Sequence, residues 1–226
     1  YDLLAQVTEK KEGNSDQSER YLTEAIEKNP RSAMAYLQRA SYRLRAGKQQ
    51  QAIEDLTQAG QCELDLIDKK ILLAEIWLKA DRPQKTEELV VQILGEDAQN
   101  LSAWLLKARL ALAGGNPEQM AAVADQGLKA LGDDSVEFMP MAAELYIKSQ
   151  NNDRARECVA ALRKAEVNEM VLSYIEGVIA EKDANWSLAA KSFRKAYDLG
   201  RKDEETAIRT AGVLTRCGDY LAASQI

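Results

Sequence analysis

AMAYLQRASYRLRAG (33–47), running into KQQQAIEDLTQA (48–59), decides the fold. In the first segment Tyr36, Leu37, Ala40 and Leu44 recur at helical spacing, so they share one face of a helix. Gly47 then ends that helix, because glycine accepts the left-handed backbone that a helix terminus needs. In the second segment Ala52, Ile53, Leu56 and Ala59 line one face of a second helix. The stretch is therefore a helical hairpin with a small residue five positions past its turn.

The hairpin recurs in both directions. Gly13 is followed by Ser18, Gly47 by Ala52, Asp81 by Thr86, Gly115 by Met120, Ala184 by Ala189 and Gly218 by Ala223. These marks lie 34, 34, 34, 69 and 34 residues apart, with the fifth repeat unmarked and one extra residue assigned to its turn SQNND (149–153). A fixed period of this size means stacked copies of one supersecondary unit rather than a closed core around a central site.

The pattern resembles the tetratricopeptide repeat. That family places an aromatic residue at position 4, a small residue at 8, glycine near 15, alanine at 20 and a large residue at 24. Here position 8 reads Ala40, Ala74, Ala108, Ala142, Gly177 and Ala211, and position 4 holds Tyr36, Trp104 and Phe138 in repeats two, four and five. The resemblance implies an all-α fold, a right-handed α-solenoid (superhelix) of stacked antiparallel helix pairs. It covers 1–226 as one domain of about six and a half repeats, with units 1–32, 33–66, 67–100, 101–134, 135–169, 170–203 and 204–226. Repeat three departs most, with Lys70 at position 4 and Thr86 at position 20, and irregular packing is expected there. Pro140 is expected early in its helix, with Asp133, Asp134 and Ser135 upstream as caps. A chain that starts at Tyr1 and stops inside a helical pattern reads as a piece of a longer protein.

Composition narrows the function. The chain is 46% hydrophobic and 29% charged, as expected of a folded, helix-rich protein. Its net charge of −6 disfavours a nucleic-acid backbone as partner. No apolar run is long enough to span a membrane. With no histidine, and with Cys62, Cys158 and Cys217 in three different repeats, no metal site, cofactor or histidine-based catalytic group is expected. Cys158 and Cys217 read as small buried apolar residues, and Cys62 as more exposed. Unpaired thiols lean slightly toward the cytoplasm and leave localisation open. Glu87–Glu88, Asp133–Asp134 and Glu204–Glu205 sit at helix starts and turns, where carboxylates complement the helix dipole, so no catalytic residue is assigned and the chain is not expected to be an enzyme. Arg39 and Arg43 share a helix face opposite Glu54 and Asp55, which points to local ion pairs. Trp77 and Trp104 are expected in the core, and Trp186 against the preceding repeat.

In the family resembled, first helices line the concave face, with positions 2, 5, 9 and 12 directed into it. Position 5 here reads Leu3, Leu37, Ile71, Leu105, Met139, Tyr174 and Ile208, all apolar, and position 12 reads Leu44, Leu78, Leu112 and Tyr146 before turning polar. The resemblance thus implies a non-enzymatic scaffold that binds a peptide or amphipathic helix of a protein partner. The partner-binding residues would be Leu37, Ile71, Leu105, Met139 and Tyr174, with Glu75 and Arg109 at position 9 setting orientation. The same column could instead pack between neighbouring first helices, or be covered by another part of the parent protein. The alternatives are an assembly module packing against itself or other domains, with self-association, and a positioning domain of a larger enzyme. A clamp for a partner's C-terminal carboxylate is not expected: position 13 offers Arg45 and Lys79, but position 5 is apolar and position 9 supplies no asparagine.

Overall fold

The computed structural model describes residues 15–226 apart from Glu63, Asp65, Asp133, Asp134 and Val167. Leu3, Gly13 and the expected caps Asp133 and Asp134 lie outside the described residues. The described residues form thirteen helices and no strand. They are α1 Ser15–Lys28, α2 Ala33–Arg45, α3 Gln49–Gln61, α4 Ile67–Lys79, α5 Pro83–Glu96, α6 Leu101–Gly114, α7 Pro117–Leu131, α8 Met139–Lys148, α9 Asn152–Lys164, α10 Glu169–Lys182, α11 Trp186–Asp198, α12 Glu204–Arg216 and α13 Tyr220–Ala223. Consecutive helices pack as pairs, α2 with α3, α4 with α5, α8 with α9 and α10 with α11, as the all-α repeat pattern requires. The chain divides into two compact halves, the boundary falling after Leu106 within α6.

Helix starts follow local chemistry. Ser32, Asn116, Asn185 and Asp203 each accept a backbone N–H of the first turn, at 3.0–3.3 Å, satisfying a donor that has no partner inside the helix. Pro83, Pro117 and Pro140 occupy first-turn positions, where a missing N–H costs nothing. Ser135 serves at the start of repeat five through its carbonyl, which accepts the N–H groups of Phe138 and Met139.

First-helix ends fix the repeat register. The turn between the helices of each of repeats two to seven passes through one left-handed residue: Gly47, Asp81, Gly115, Gln150, Ala184 and Gly218, with φ between 55° and 79°. Successive marks lie 34, 34, 35, 34 and 34 residues apart. Gln150 is the mark missing from the sequence pattern. The N–H of Met139 bonds the Ser135 carbonyl just as that of Trp104 bonds Asn100, so the two helix starts are already 35 residues apart. The extra residue therefore falls between Gly127 and Ser135, not in the SQNND turn. The phase of the first helix of repeat five moves by one: Met139 occupies position 4, Pro140 position 5, Ala143 position 8 and Ile147 position 12.

Small and large residues interlock between helices. A Cβ on Gly127 would lie 2.4 Å from Phe138, and one on Gly177 would lie 2.7 Å from Phe193, so each glycine admits an aromatic ring against bare backbone. Both rings are fully buried. Repeat three packs regularly after all: Thr86 is buried and its hydroxyl donates to the Ala74 carbonyl at 3.1 Å, while Lys70 pairs with Glu96. Trp77 and Trp104 are buried as expected, and the Trp104 indole donates to the Ala98 carbonyl at 2.9 Å. Trp186 is half-buried, and its ring carries the Arg216 guanidinium of the following repeat, 4.3 Å from the centroid.

Ionic contacts tie the N-terminal half together. Buried Asp55 accepts both Arg39 and Arg43 at 2.8 Å, and Arg43 also pairs with Glu19 at 2.8 Å. The two arginines are thereby committed to this network. Among the cysteines, Cys158 is buried and its thiol pKa is pushed up to about 11 by that burial. Cys217 is exposed, contrary to the sequence reading, because it caps α12 just before the turn at Gly218. Cys62 is half-buried, its thiol turned to the Gln58 carbonyl.

Candidate functional site

In the N-terminal half the apolar column serves the core. Leu37 is fully buried among Ala40, Ala52 and Leu56 and has no surface to offer a partner. Ile71 and Leu78 pack half-buried on Ala74, Val90 and Leu106. Leu105 and Glu75 are half-buried. Arg109, in the C-terminal half, is exposed, and neither Glu75 nor Arg109 has an ion pair among the described residues. Met139 is 3% exposed, since position 4 faces the inside of the repeat. Leu37 and Met139 are thus core residues, as the packing alternative for this column requires.

The C-terminal half is different. Its first helices α8, α10 and α12 bring Pro140, Tyr174 and Ile208 to position 5. Pro140 and Tyr174 are half-buried and Ile208 is 64% exposed. Between α8 and α10 lies an open depression of about 150 Å³, with Pro140, Met141, Ile147, Val171, Tyr174 and Val178 as its apolar lining. Its polar margin is Glu144 and Lys148 from α8, Glu205 and Arg209 from α12, and Arg201 from the preceding connection. A second hollow opens between α10 and α12 beside Ile208, flanked by Glu181, Glu204, Glu205, Arg209 and Arg216.

Tyr174 organises this margin. Its ring meets Phe193 at a centroid distance of 5.8 Å, and the Arg201 guanidinium stacks on it at 3.5 Å. Burial, and then the hydrogen bond to Glu205, pushes the Tyr174 hydroxyl pKa up to about 12, so it stays a donor at neutral pH. Arg209 holds Glu205 at 3.1 Å and also binds Glu181, which fixes α12 against α10. Glu205 lies in the first turn of α12, where its charge complements the helix dipole, and in addition ties that turn to Tyr174. Arg201 and Arg209 escaped sequence reasoning, because their roles depend on contacts with a different helix, α10. Tyr146, read as a groove position, is instead fully buried at position 11, its hydroxyl donating to Asp125 at 2.6 Å.

Among the described residues no group of His, Cys, Asp or Glu could hold a metal ion, and no helix is long and apolar enough to cross a membrane.

Comparison with known proteins agrees with this architecture. A tetratricopeptide repeat protein from Parabacteroides merdae superposes with a TM-score of 0.69 at 16% identity, over 94% of this chain and 82% of that one. The type IV pilus biogenesis factor PilW gives 0.68 at 16% identity, over 94% and 96%. YrrB, a tetratricopeptide repeat protein with an unusual peptide-binding site, gives 0.52 at 16% identity, over 83% and 95%. At such identities these likenesses concern the fold. No curated protein matches the chain. A family model, the tetratricopeptide repeat, matches residues 8–62 and 141–204, more than half of the sequence. The chain belongs to the tetratricopeptide repeat family, whose fold serves as a scaffold for protein–protein interaction.

Proposed function

We propose that the first-helix face of the C-terminal half binds a peptide or amphipathic helix of a protein partner. One observation carries this reading: a half-buried apolar depression on α8 and α10, continued by exposed Ile208 on α12 and edged by charged groups held in ion pairs. Rigid packing favours binding, because Tyr174, Arg201, Glu205 and Arg209 are ordered by one another before a partner arrives, which lowers the entropic cost of association. Tyr174 and Ile208 supply apolar contact, and Glu144 and Lys148 supply polar contact. Ile71, Glu75, Leu105 and Arg109 remain candidates for the first-helix faces of their own halves.

The test begins with peptides selected from a random displayed library on the immobilised chain. Their affinities are then measured by fluorescence anisotropy against Ile208→Glu and Leu188→Glu, two exposed apolar positions, the second on helix α11. Ile208→Glu weakens binding by about tenfold or more, a change of about 1.4 kcal/mol, while Leu188→Glu leaves it unchanged. Equal binding by wild type and Ile208→Glu would overturn the proposal.

A further inference from the structure

Position 13, two residues before each left-handed turn, carries a cation on every first helix of repeats five to seven: Lys148, Lys182 and Arg216. All three are exposed, and none forms an ion pair among the described residues. Glu205, which lines the same depression as Lys148, is already engaged by Tyr174 and Arg209. Arg216 is held over the Trp186 ring rather than by an acid. On the second helices of the same half, last-turn cations divide: Arg163 pairs with Glu176 and Lys195 with Glu169, whereas Lys129 and Lys164 form no ion pair among the described residues. Complementing a helix dipole needs a positive charge somewhere in the last turn, but not at the same repeat position on three successive helices. Lys148 and Arg216 border the two hollows beside Tyr174 and Ile208, where Glu144, Glu181, Glu204 and Glu205 also lie, and Lys182 holds the equivalent position on the helix between them.

We infer that this face takes a protein segment whose apolar side chains are flanked, on the side toward Lys148, Lys182 and Arg216, by aspartate or glutamate. The inference rests on the binding reading above and adds the chemistry of the partner. Packed helices lie about 8–10 Å apart. A segment in the polyproline II conformation advances about 3.1 Å per residue with about three residues per turn, so acids at every third position would share one side and meet successive cations. The net charge of −6 repels an acidic segment at long range, so the attraction acts at contact and weakens as salt screens it.

The experiment uses the same selected peptides, displayed as N-terminal fusions so that no free C-terminal carboxylate is available. Recovered binders carry Asp or Glu at every third position among apolar residues. They lose about tenfold or more in affinity on the Lys148→Glu, Lys182→Glu, Arg216→Glu triple variant. They regain it when their own acids are changed to lysine. Unchanged thermal unfolding of the triple variant shows that its fold is intact. Neutral or basic binders, or binders indifferent to the triple variant, overturn the inference. If those binders are still lost on Ile208→Glu, the binding face stands and only its charge preference fails. If neither variant matters, or no peptide is enriched, both readings fail.

Discussion

Gly177→Ala tests the interlocking of the helices. In an open helix the change would stabilise the protein by about 1 kcal/mol, because alanine has the higher helix propensity. Here the new Cβ would sit 2.7, 2.8 and 2.9 Å from three ring atoms of Phe193. That ring is fully buried and backed by Tyr174, so it cannot retreat without disturbing the binding face. Overpacking of this kind costs about 1–3 kcal/mol, and three contacts below 3.0 Å place it in the upper part of that range. The expected net effect is a destabilisation of about 1–2 kcal/mol, or a fall in Tm of about 3–6 °C for a chain of this size. Gly212→Ala is the control: it lies within α12 and its added Cβ meets nothing within 4 Å, so it should stabilise by about 0.5–1 kcal/mol. Phe193→Leu should relieve the clash, giving a coupling of about 1 kcal/mol or more between the two sites in a double-mutant cycle. Unfolding is followed by circular dichroism. If Gly177→Ala stabilises as much as Gly212→Ala, the close-approach argument is wrong.

Other predictions follow from the turns, the ion pairs and the thiols. Ala184 adopts φ 55° without being glycine, so Ala184→Gly should raise stability by about 0.5–1 kcal/mol in thermal unfolding, whereas Gly218→Ala at φ 79° should lower it by about 1 kcal/mol. Asp55→Ala leaves the largely buried Arg39 guanidinium without an ion pair and Arg43 with Glu19 alone, and should cost about 3 kcal/mol in urea denaturation, more than Glu88→Ala, whose pair with Lys85 is exposed. A thiol-reactive dye at pH 8 should modify Cys217 rapidly and Cys158 only on unfolding. The raised pKa of Cys158 means that the unfolded thiol ionises first: its contribution to stability is complete below pH about 9, the ordinary value, and is lost as pH rises toward about 11, a loss that Cys158→Ala should remove.

Much of the fold was legible because glycine marks a left-handed turn and alanine marks a close helix approach. Gly47, Gly115 and Gly218 carried that signal directly, and Asp81 and Ala184 were found by spacing. Gln150 was not, since glutamine has no special preference for positive φ. With that mark missing, adjacent Ala142 and Ala143 fitted position 8 equally well, and the phase of one helix slipped by a residue. Met139 then took the place that belongs to Pro140. The ion pairs of Arg39 and Arg43 were legible from opposed charges on consecutive helices, although Asp55 alone, and not Glu54, receives both. The margin around Tyr174 was not legible. Periodicity reports which residues share a helix face, but Arg201 and Glu205 matter because they meet Tyr174 on α10, and Arg209 because it binds Glu181 of that helix. The exposure of the position 5 column also varies from repeat to repeat, from fully buried Leu37 to largely exposed Ile208, and a hydrophobic pattern cannot distinguish a packed face from an open one.

The central claim is that a partner segment occupies the first-helix face of the C-terminal half. Methyl-labelled protein followed by NMR during titration with a selected peptide tests it most directly. The account predicts saturable shifts at Met141, Ile147, Val171, Val178 and Ile208, with Val159 and Leu188 on the second helices unmoved. Shifts centred on Val159 and Leu188, with the first-helix methyls still, would contradict it.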